Sequence, residues 1–336
     1  MKNHFNLDCA SDQIVLSSQE EEQRHARKKL IHSNRFKVRS SSQHTLKLRP
    51  NEFGAGFSFL LTLYVEGRKV IGAEADVGFL HQGIEKSMES RSMADGVALL
   101  TRFSSEQGTS MSVAFEIAVE KLSDAAPSGR TRLERIITLE AERIHHHTSV
   151  MAHVYELVGD SSERSLRMRL SGLSRVDRSV AVSQGLSGIT LRAAGFADDL
   201  RYASSELPYE LLGFRAAVRQ EADAFGRFML RKTEIDNSKN LIERARGLLK
   251  TEPEEDAEII YSPSTPRVMS QSVEAAEGEL SVTVCGDGSE KPVRVRIKTP
   301  SFAHLSAIST YLTGADIDDV LLILSTLGID SLEVDR

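Results

Sequence analysis

The sequence predicts an α+β protein that is predominantly helical, with a central helical bundle flanked by small β-hairpins. Apolar residues at helical spacing dominate residues 83–249, which indicates the bundle. Alternating or continuous apolar runs around glycine turns occur on both sides of it, at 57–75 and 279–298. The 336 residues, 40% of them hydrophobic, suffice for a substantial core. We expect a polar N-terminal arm over 1–44 and a folded domain over 45–336.

The N-terminal part of the chain has a basic, polar segment followed by an apolar hairpin. Segment 20–39 carries seven Lys or Arg against three Glu, which favours a solvated arm or a frayed helix, with a partner-docking arm as the alternative. The first hairpin runs from the apolar stretch 57–65 through Glu66-Gly67-Arg68 and returns along 69–75.

Helices follow, and a second hairpin comes late in the chain. We predict helices over 83–91, 94–103, 110–122, 130–158, 166–183, 208–249, 304–312 and 317–327. The apolar stripe of the helix predicted over 130–158 comprises Leu133, Ile137, Ile144, Met151, Val154 and Val158. Three prolines and an acidic run predict an exposed loop over 251–267. The second hairpin pairs 279–285 with 293–298 within the C-terminal region 270–336.

Composition excludes several classes of function. The net charge of −6 is not that of a nucleic-acid binder, whose phosphate contacts need a basic face. Cys9 and Cys285 cannot supply the four thiolates of an Fe–S or Cys₄ zinc site. The chain contains neither GxGxxG nor GxxxxGK[ST]. We find no signal peptide and no apolar run of about 20 residues that would span a membrane.

The helix predicted over 130–158 carries charged residues on its apolar face. Glu140, Arg143 and His147 stack on one side, because their offsets of three and four residues return to the same face. Buried charges must be paired, so one interpretation is a network that docks this helix onto its neighbours. The alternative is a charged relay near a reaction centre. The run His145–His147 cannot converge on one ion, since adjacent helical residues point about 100° apart, and we predict no metal site.

Several motifs, in one order along the chain, resemble a known family. Residues 78–86 read Gly-Phe-Leu-His-Gln-Gly-Ile-Glu-Lys, which is similar to the G-x-L-H-x-G-I-E-K signature. That signature marks the D subunit of NADH:quinone oxidoreductase (respiratory complex I) and the large subunits of energy-converting [NiFe] hydrogenases. Further similarity lies at 140–147, 185–201, 287–294, 300–305 and 335–336. The matching residues include His81, Gly83, Glu85, Lys86, Arg192, Asp199 and Arg201.

The resemblance implies a subunit on the cytoplasmic side of a membrane, held peripherally beside an Fe–S subunit and membrane-arm subunits. It implies a reaction centre in the cleft between subunits, with quinone as the substrate in complex I. Fe–S clusters, FMN and NAD(H) would belong to partner subunits, and this chain would bind no cofactor itself.

The chain departs from the family at the centre of that cleft. The two hydrogenase thiolate pairs fall on Ser104 with Gln107 and on Asp330 with Glu333. Soft thiolates retain Ni and Fe, whereas these side chains are hard oxygen donors, so a Ni–Fe centre is excluded. The quinone loop H-P-x-x-H-G aligns with residues 52–57, and the family tyrosine aligns with Ser105.

These observations predict a complex-I-like oxidoreductase subunit that contributes the cleft where quinone or a similar acceptor is reduced, coupled to ion translocation. Arg102, Ser104 and Ser105 would line the pocket, and Asp330 or Glu333 would deliver protons. The alternatives are a metal-free large subunit related to energy-converting hydrogenases, and a non-catalytic structural subunit of such a complex. The isolated chain is expected to be inactive.

Overall fold

A computed structural model describes residues 43–48, 58–253 and 266–336, with the backbone of two short strands before them. The fold class is as predicted: helices predominate, and two small sheets lie near the ends of the chain. The predicted arm over 1–44, the quinone-loop positions 52–57 and most of the loop predicted over 251–267 lie outside the described residues. The boundary between arm and domain therefore stays a prediction.

The first sheet has five strands in sequence order. They are β1 (Leu7–Asp8), β2 (Gln13–Leu16), β3 (Gln43–Leu48), β4 (Leu60–Glu66) and β5 (Lys69–Asp76). Neighbouring strands are antiparallel except for the parallel pair β2–β3. Gly67 turns the β4–β5 hairpin at φ +60°, a left-handed conformation that glycine adopts without strain. Leu61, Leu63 and Val65 alternate onto the buried face.

Eight α-helices follow among the described residues. They are α1 (Ile84–Met88), α2 (Met93–Phe103), α3 (Gly108–Leu122), α4 (Gly129–Val158), α5 (Glu163–Leu170), α6 (Arg178–Ser183), α7 (Gly188–Ala193) and α8 (Ala224–Leu249). The prediction for α4 is right within one residue. Ser128 accepts the Thr131 amide at its start, and left-handed Gly159 ends it.

Two predicted helices are broken in the structure. The segment 166–183 is divided between α5 and α6, because Gly172 adopts φ +73° and its amide binds Asp223. The segment 208–249 is helical only from Ala224, with a 3₁₀ turn at Tyr209–Leu212 before it. Asp223 starts α8 by accepting the Gly226 amide, so the helix begins where this cap lies rather than at Pro208.

The stripe predicted for α4 is partly wrong. Leu133, Met151 and Val154 are buried, but Ile137, Ile144 and Val158 are only half-buried. Ile136 and Leu139 are buried in addition, so the core-facing stripe is wider than the predicted one. The helix packs along α8, and this contact positions the candidate site.

The C-terminal sheet has three strands, where the sequence predicted two. They are β6 (Arg267–Ala275), β7 (Gly278–Gly286) and β8 (Arg294–Lys298), all antiparallel. Strand β6 was missed because only its last three residues are buried. Four helices and a 3₁₀ turn complete the chain: α9 (Pro300–Ser306), α10 (Ile308–Leu312), Ile317–Asp319, α11 (Val320–Leu327) and α12 (Ser331–Val334).

Two large clusters of buried apolar side chains pack the helices against the sheets. One joins α2 and α3 to the second sheet, and the other joins the first sheet to α10 and α11. Among the described residues, no helix is both long and apolar enough to cross a bilayer.

Candidate functional site

A cluster of buried charged side chains lies where α4 meets α7, α8 and the turn between β6 and β7. Five carboxylates face four guanidinium groups and the imidazole of His146. We call this set the ion cluster; its members are Glu140, Arg143, His146, His147, Arg192, Asp199, Arg201, Arg231, Glu234, Glu274 and Glu277. The predicted network of Glu140, Arg143 and His147 is part of it, as are the family-matching residues Arg192, Asp199 and Arg201.

Glu140 anchors the inner end of the cluster and is wholly buried. Its carboxylate accepts hydrogen bonds from Tyr209 Oη at 2.8 Å and Ser238 Oγ at 2.5 Å. It also accepts from Arg143 Nε and Arg201 Nη1, both at 3.3 Å. Burial alone raises the pKa of Glu140, but these two cations outweigh burial and lower it.

Glu234 occupies the centre of the ion cluster on α8. One carboxylate oxygen accepts from Arg192 Nε at 3.0 Å, and the other faces His147 Nε2 at 3.1 Å. Burial opposes ionisation of Glu234, yet the nearby cations hold its pKa well below the usual range. Burial lowers the pKa of His147 to about 4 despite this hydrogen bond, so His147 is neutral at pH 7.

The outer end of the ion cluster is built around His146. Its Nε2 lies 2.8 Å from Glu277 Oε1, and its Nδ1 lies 3.1 Å from Glu106 Oε2. Burial lowers the pKa of His146, but the hydrogen bonds to both carboxylates outweigh burial and raise it to about 9. Glu277 also receives Arg231 Nη2 at 2.6 Å. The Glu277 carboxylate at the centre of the 276–278 turn is therefore matched by Arg231 and protonated His146.

A cavity of about 420 Å³ opens directly above this outer end. Glu106, His146 and His153 form part of its polar lining, and Leu324, Ile329 and Leu332 form part of its apolar lining. Gly328 also lines it, at φ +64°, and a Cβ there would clash with the Glu277 carboxylate. Glycine at this position lets the chain after α11 lie against the ion cluster.

Of the five predicted pocket residues, only Asp330 is part of the cavity lining. Ser104 is buried behind it, and its hydroxyl donates a hydrogen bond to Asp330. Glu333 is wholly buried on α12. Arg102 and Ser105 are exposed to solvent.

The four positions that align with thiolates in the resembling hydrogenases are all largely removed from water. The Ser104 hydroxyl donates a hydrogen bond to Asp330. The buried Gln107 amide and the Glu333 carboxyl have no hydrogen-bond partner among the described residues. Burial, with the adjacent Asp330, raises the pKa of Glu333 to about 8. Burial also raises the pKa of Asp330, against the hydrogen bond from Ser104. A hydroxyl, an amide and two carboxyl groups are hard donors that do not fit a Ni–Fe centre.

The signature at 78–86 reaches the cavity only through Leu80, which is part of the cavity lining. His81 and Lys86 are exposed, and Lys86 pairs with Glu89. Gly83 precedes α1 at φ +60°, and Glu85 accepts the Ile297 amide at 2.8 Å and Arg336 Nε at 3.3 Å. Hydrogen bonds connect this segment to the C-terminal residues and to β8. None of the hydrogen bonds described for residues 78–86 reaches the ion cluster.

Histidine and carboxylate side chains do not assemble into a metal site in the part of the chain that the structure describes. Glu142 accepts the amides of Thr109 and Ser110 at 2.6 and 3.0 Å, so it caps the start of α3. His145 is exposed and lies 3.5 Å from Glu106.

Sequence reasoning missed about half of the ion cluster. Arg231 and Glu234, with Ser238, repeat on α8 the spacing of Glu140, Arg143 and His147 on α4. Matching polar stripes on two long helices could have identified these partners, because each stripe needs a counterpart when buried. No comparable local signal marks Glu274 and Glu277, which reach the cluster through the β6–β7 pairing.

Comparison with known proteins gives one consistent result. The family model of the respiratory-chain NADH dehydrogenase 49 Kd subunit matches residues 137–272 and 262–336. The chain is 26% identical to the D subunit of the NADH-quinone oxidoreductase of Thermosipho melanesiensis, over 85% of this chain and 98% of that protein. It is 24% identical to the D subunit of the F(420)H(2) dehydrogenase of Methanosarcina mazei, over 91% and 99%.

Proposed function

Because the chain belongs to the family of the respiratory-chain NADH dehydrogenase 49 Kd subunit, we propose that it is the acceptor-site subunit of a complex-I-like oxidoreductase. In this proposal the cavity between α4 and the α11–α12 segment holds the headgroup of quinone or a similar acceptor. Electrons arrive from an Fe–S partner, and reduction is coupled to ion movement through membrane-arm subunits. The chain lies peripherally on the cytoplasmic side of the membrane.

The cavity is the observation that carries this proposal. Its volume of about 420 Å³ is within the ~300–1,000 Å³ usual for small-ligand sites, and its mixed apolar and polar lining suits a flat carbonyl ring. It lies at the segment around Asp330 that aligns with a thiolate motif of the hydrogenase relatives. In this proposal the acceptor takes the place that the metal centre has in those relatives.

Quinone reduction consumes two electrons and two protons, so an acceptor site needs acids that are still protonated near neutral pH. Burial and the adjacent Asp330 raise the pKa of Glu333 to about 8, which meets this requirement on the α12 side of the cavity, and burial shifts the pKa of Asp330 upward as well. Asp330 would donate to the acceptor from the cavity lining, and the neighbouring Glu333 is a second acid that would deliver protons on this side. Ser104 would keep the Asp330 carboxyl oriented through its hydrogen bond.

A double variant tests the role of these acids. D330N/E333Q retains side-chain shape but removes both ionisable groups, and we expect quinone turnover of the assembled complex to fall ~10²-fold or more. The matched control is D236N/E243Q, which removes two exposed acids from α8. Full turnover in D330N/E333Q would remove the two acids from the mechanism.

Partner identity separates the proposal from its alternatives. The tagged chain is recovered from mildly solubilised native membranes, and its partners are identified by mass spectrometry. An FMN-bearing NADH module with antiporter-like membrane subunits supports a complex I variant. Fe–S and antiporter-like subunits without that module support the hydrogenase-related alternative. A chain recovered alone contradicts both, and a complex without quinone turnover supports a structural subunit.

A further inference from the structure

The α4 side of the cavity carries a second acid–base group that the proposed function has not used. His146 is 2% exposed, yet it contributes to the cavity lining together with Glu106. Each of its ring nitrogens faces a carboxylate, Glu106 on the cavity side and Glu277 on the interior side. Such a pair of acceptors stabilises the imidazolium, which then donates through both nitrogens.

We propose that His146 stores a proton for the bound acceptor and that Glu106 transfers it across the cavity wall. This inference rests on the proposed function and deepens it, because a two-proton reduction needs a donor for each carbonyl oxygen. Asp330 supplies one proton from the α12 side, and His146 supplies the other from the α4 side.

The transfer balances with reagents that the proposed function already names. Two electrons from the Fe–S partner reduce the quinone. The Nδ1–H bond of His146 breaks, the proton passes to Glu106, and an O–H bond forms on the nearer carbonyl oxygen. Asp330 protonates the other oxygen, which completes the quinol. Glu106 is half-buried, so solvent protons return to His146 along the same carboxylate.

The interior side of His146 explains why the proton leaves toward the cavity. Glu277 is wholly buried with Arg231, which holds the pKa of Glu277 well below its usual range, so Glu277 does not take the proton. Neutral His147 lies 4.0 Å from Glu277, beyond hydrogen-bond distance. The charged and titratable groups that surround His146 are Glu106, His145, His147, Arg231, Glu277, Asp330 and Glu333.

Loss of the imidazolium would leave Glu277 without one of its two short-range cationic partners. The pKa of His146, about 9, keeps the imidazolium charged through neutral pH, which agrees with the balance of five carboxylates against four guanidinium groups inside. The proton store is therefore refilled between turnovers at any pH below this value.

The test uses the assembled complex, with reduced methyl viologen as electron donor and decylubiquinone as acceptor, corrected for the rate without complex. The wild type should keep a constant kcat up to a decline near pH 9. In H146Q, kcat at pH 7 should fall ~10²–10³-fold with KM within ~2-fold, because acid catalysis and not binding is lost.

Two further variants make the result decisive. H145Q removes the exposed neighbouring imidazole on the other side of Glu106 and should leave both kcat and the pH profile unchanged. E106Q changes a half-buried residue at the cavity rim and should lower kcat ~10²-fold at every pH. If H146Q does not assemble into the complex, the kcat of E106Q tests the proposed proton transfer instead.

The proposal is overturned if H146Q keeps the wild-type decline near pH 9, or if E106Q turns over decylubiquinone at the wild-type rate. Absence of decylubiquinone reduction by the wild type is a different result. It contradicts the proposed function itself, and the proton store falls with it.

Discussion

Replacement of Glu234 by Gln tests whether the ion cluster holds the α4–α8 contact. Glu234 is 1% exposed, and its carboxylate receives Arg192 at 2.8 and 3.0 Å and His147 at 3.1 Å. E234Q retains the shape but leaves Arg192 with one fewer buried anion. Breaking a buried pair in this way costs about 3–5 kcal/mol.

The expected change in melting temperature follows from the size of the chain. At ~2.1 cal/mol/K per residue, 336 residues give an unfolding entropy of about 0.7 kcal/mol/K. A loss of 3–5 kcal/mol should then lower Tm by about 4–7 °C. Thermal melting of the purified subunit, followed by far-ultraviolet circular dichroism, measures this shift.

A matched control removes a carboxylate from the opposite face of the other helix. Glu156 on α4 is exposed, so E156Q should melt within about 1 °C of the wild type. If E234Q also melts within 1 °C, the buried charges do not hold α4 to α8, and the reasoning is refuted.

Three further predictions concern pH, backbone conformation and metal content. The pKa values of Glu234 and Glu277 are lower in the folded than in the unfolded chain, so these residues stabilise the fold above pH ~4.3 and this stabilisation is lost as the pH falls. The pKa of His146 is higher in the folded chain, so His146 stabilises the fold fully below pH ~6.5, and this stabilisation is lost as the pH rises through about 9. The melting temperature should therefore be highest between pH ~4.3 and ~6.5, and a Tm that does not change from pH 3 to 10 would be inconsistent with the ion cluster. G328A should lower Tm by ~3–6 °C more than G159A, because both glycines have positive φ but only Gly328 contacts Glu277; equal shifts in the two variants would contradict the packing described above. Elemental analysis of the purified chain should find Ni and Fe far below one atom per chain, since its cleft offers hard oxygen donors, and stoichiometric nickel would overturn that assignment.

The sequence predicted α4 well because the helix is signalled locally. Ser128 and Gly159 mark its ends, and the spacing of Glu140, Arg143 and His147 places them on one face. Helix ends and the faces of a helix depend on residues that are close in sequence, so they can be predicted from one element alone.

The sequence did not predict what those residues meet. Glu234 and Glu277 come from α8 and from the β6–β7 turn, so their distances to α4 depend on the packing of the whole bundle. The beginning of α8 was misplaced for a related reason. The Asp223 cap works only because the surrounding segment takes an irregular path that periodicity does not reveal.

The cleft was located by alignment of motifs and not by residue chemistry. Ser104 and Asp330 lie within hydrogen-bond distance of each other, as the alignment of the two motifs implies. His146 and Glu106 were passed over, since a histidine run and a lone acid carry no signal without their neighbours.

The most direct test of the account is photoaffinity labelling of the assembled complex with an azidoquinone, with adducts mapped by mass spectrometry and competed by decylubiquinone. The account predicts competed adducts in two peptides, around His146–His153 on α4 and around Leu324–Leu332 after α11. Adducts elsewhere in the complex that decylubiquinone displaces, with none at these two segments, would contradict the assignment of this cavity as the acceptor site.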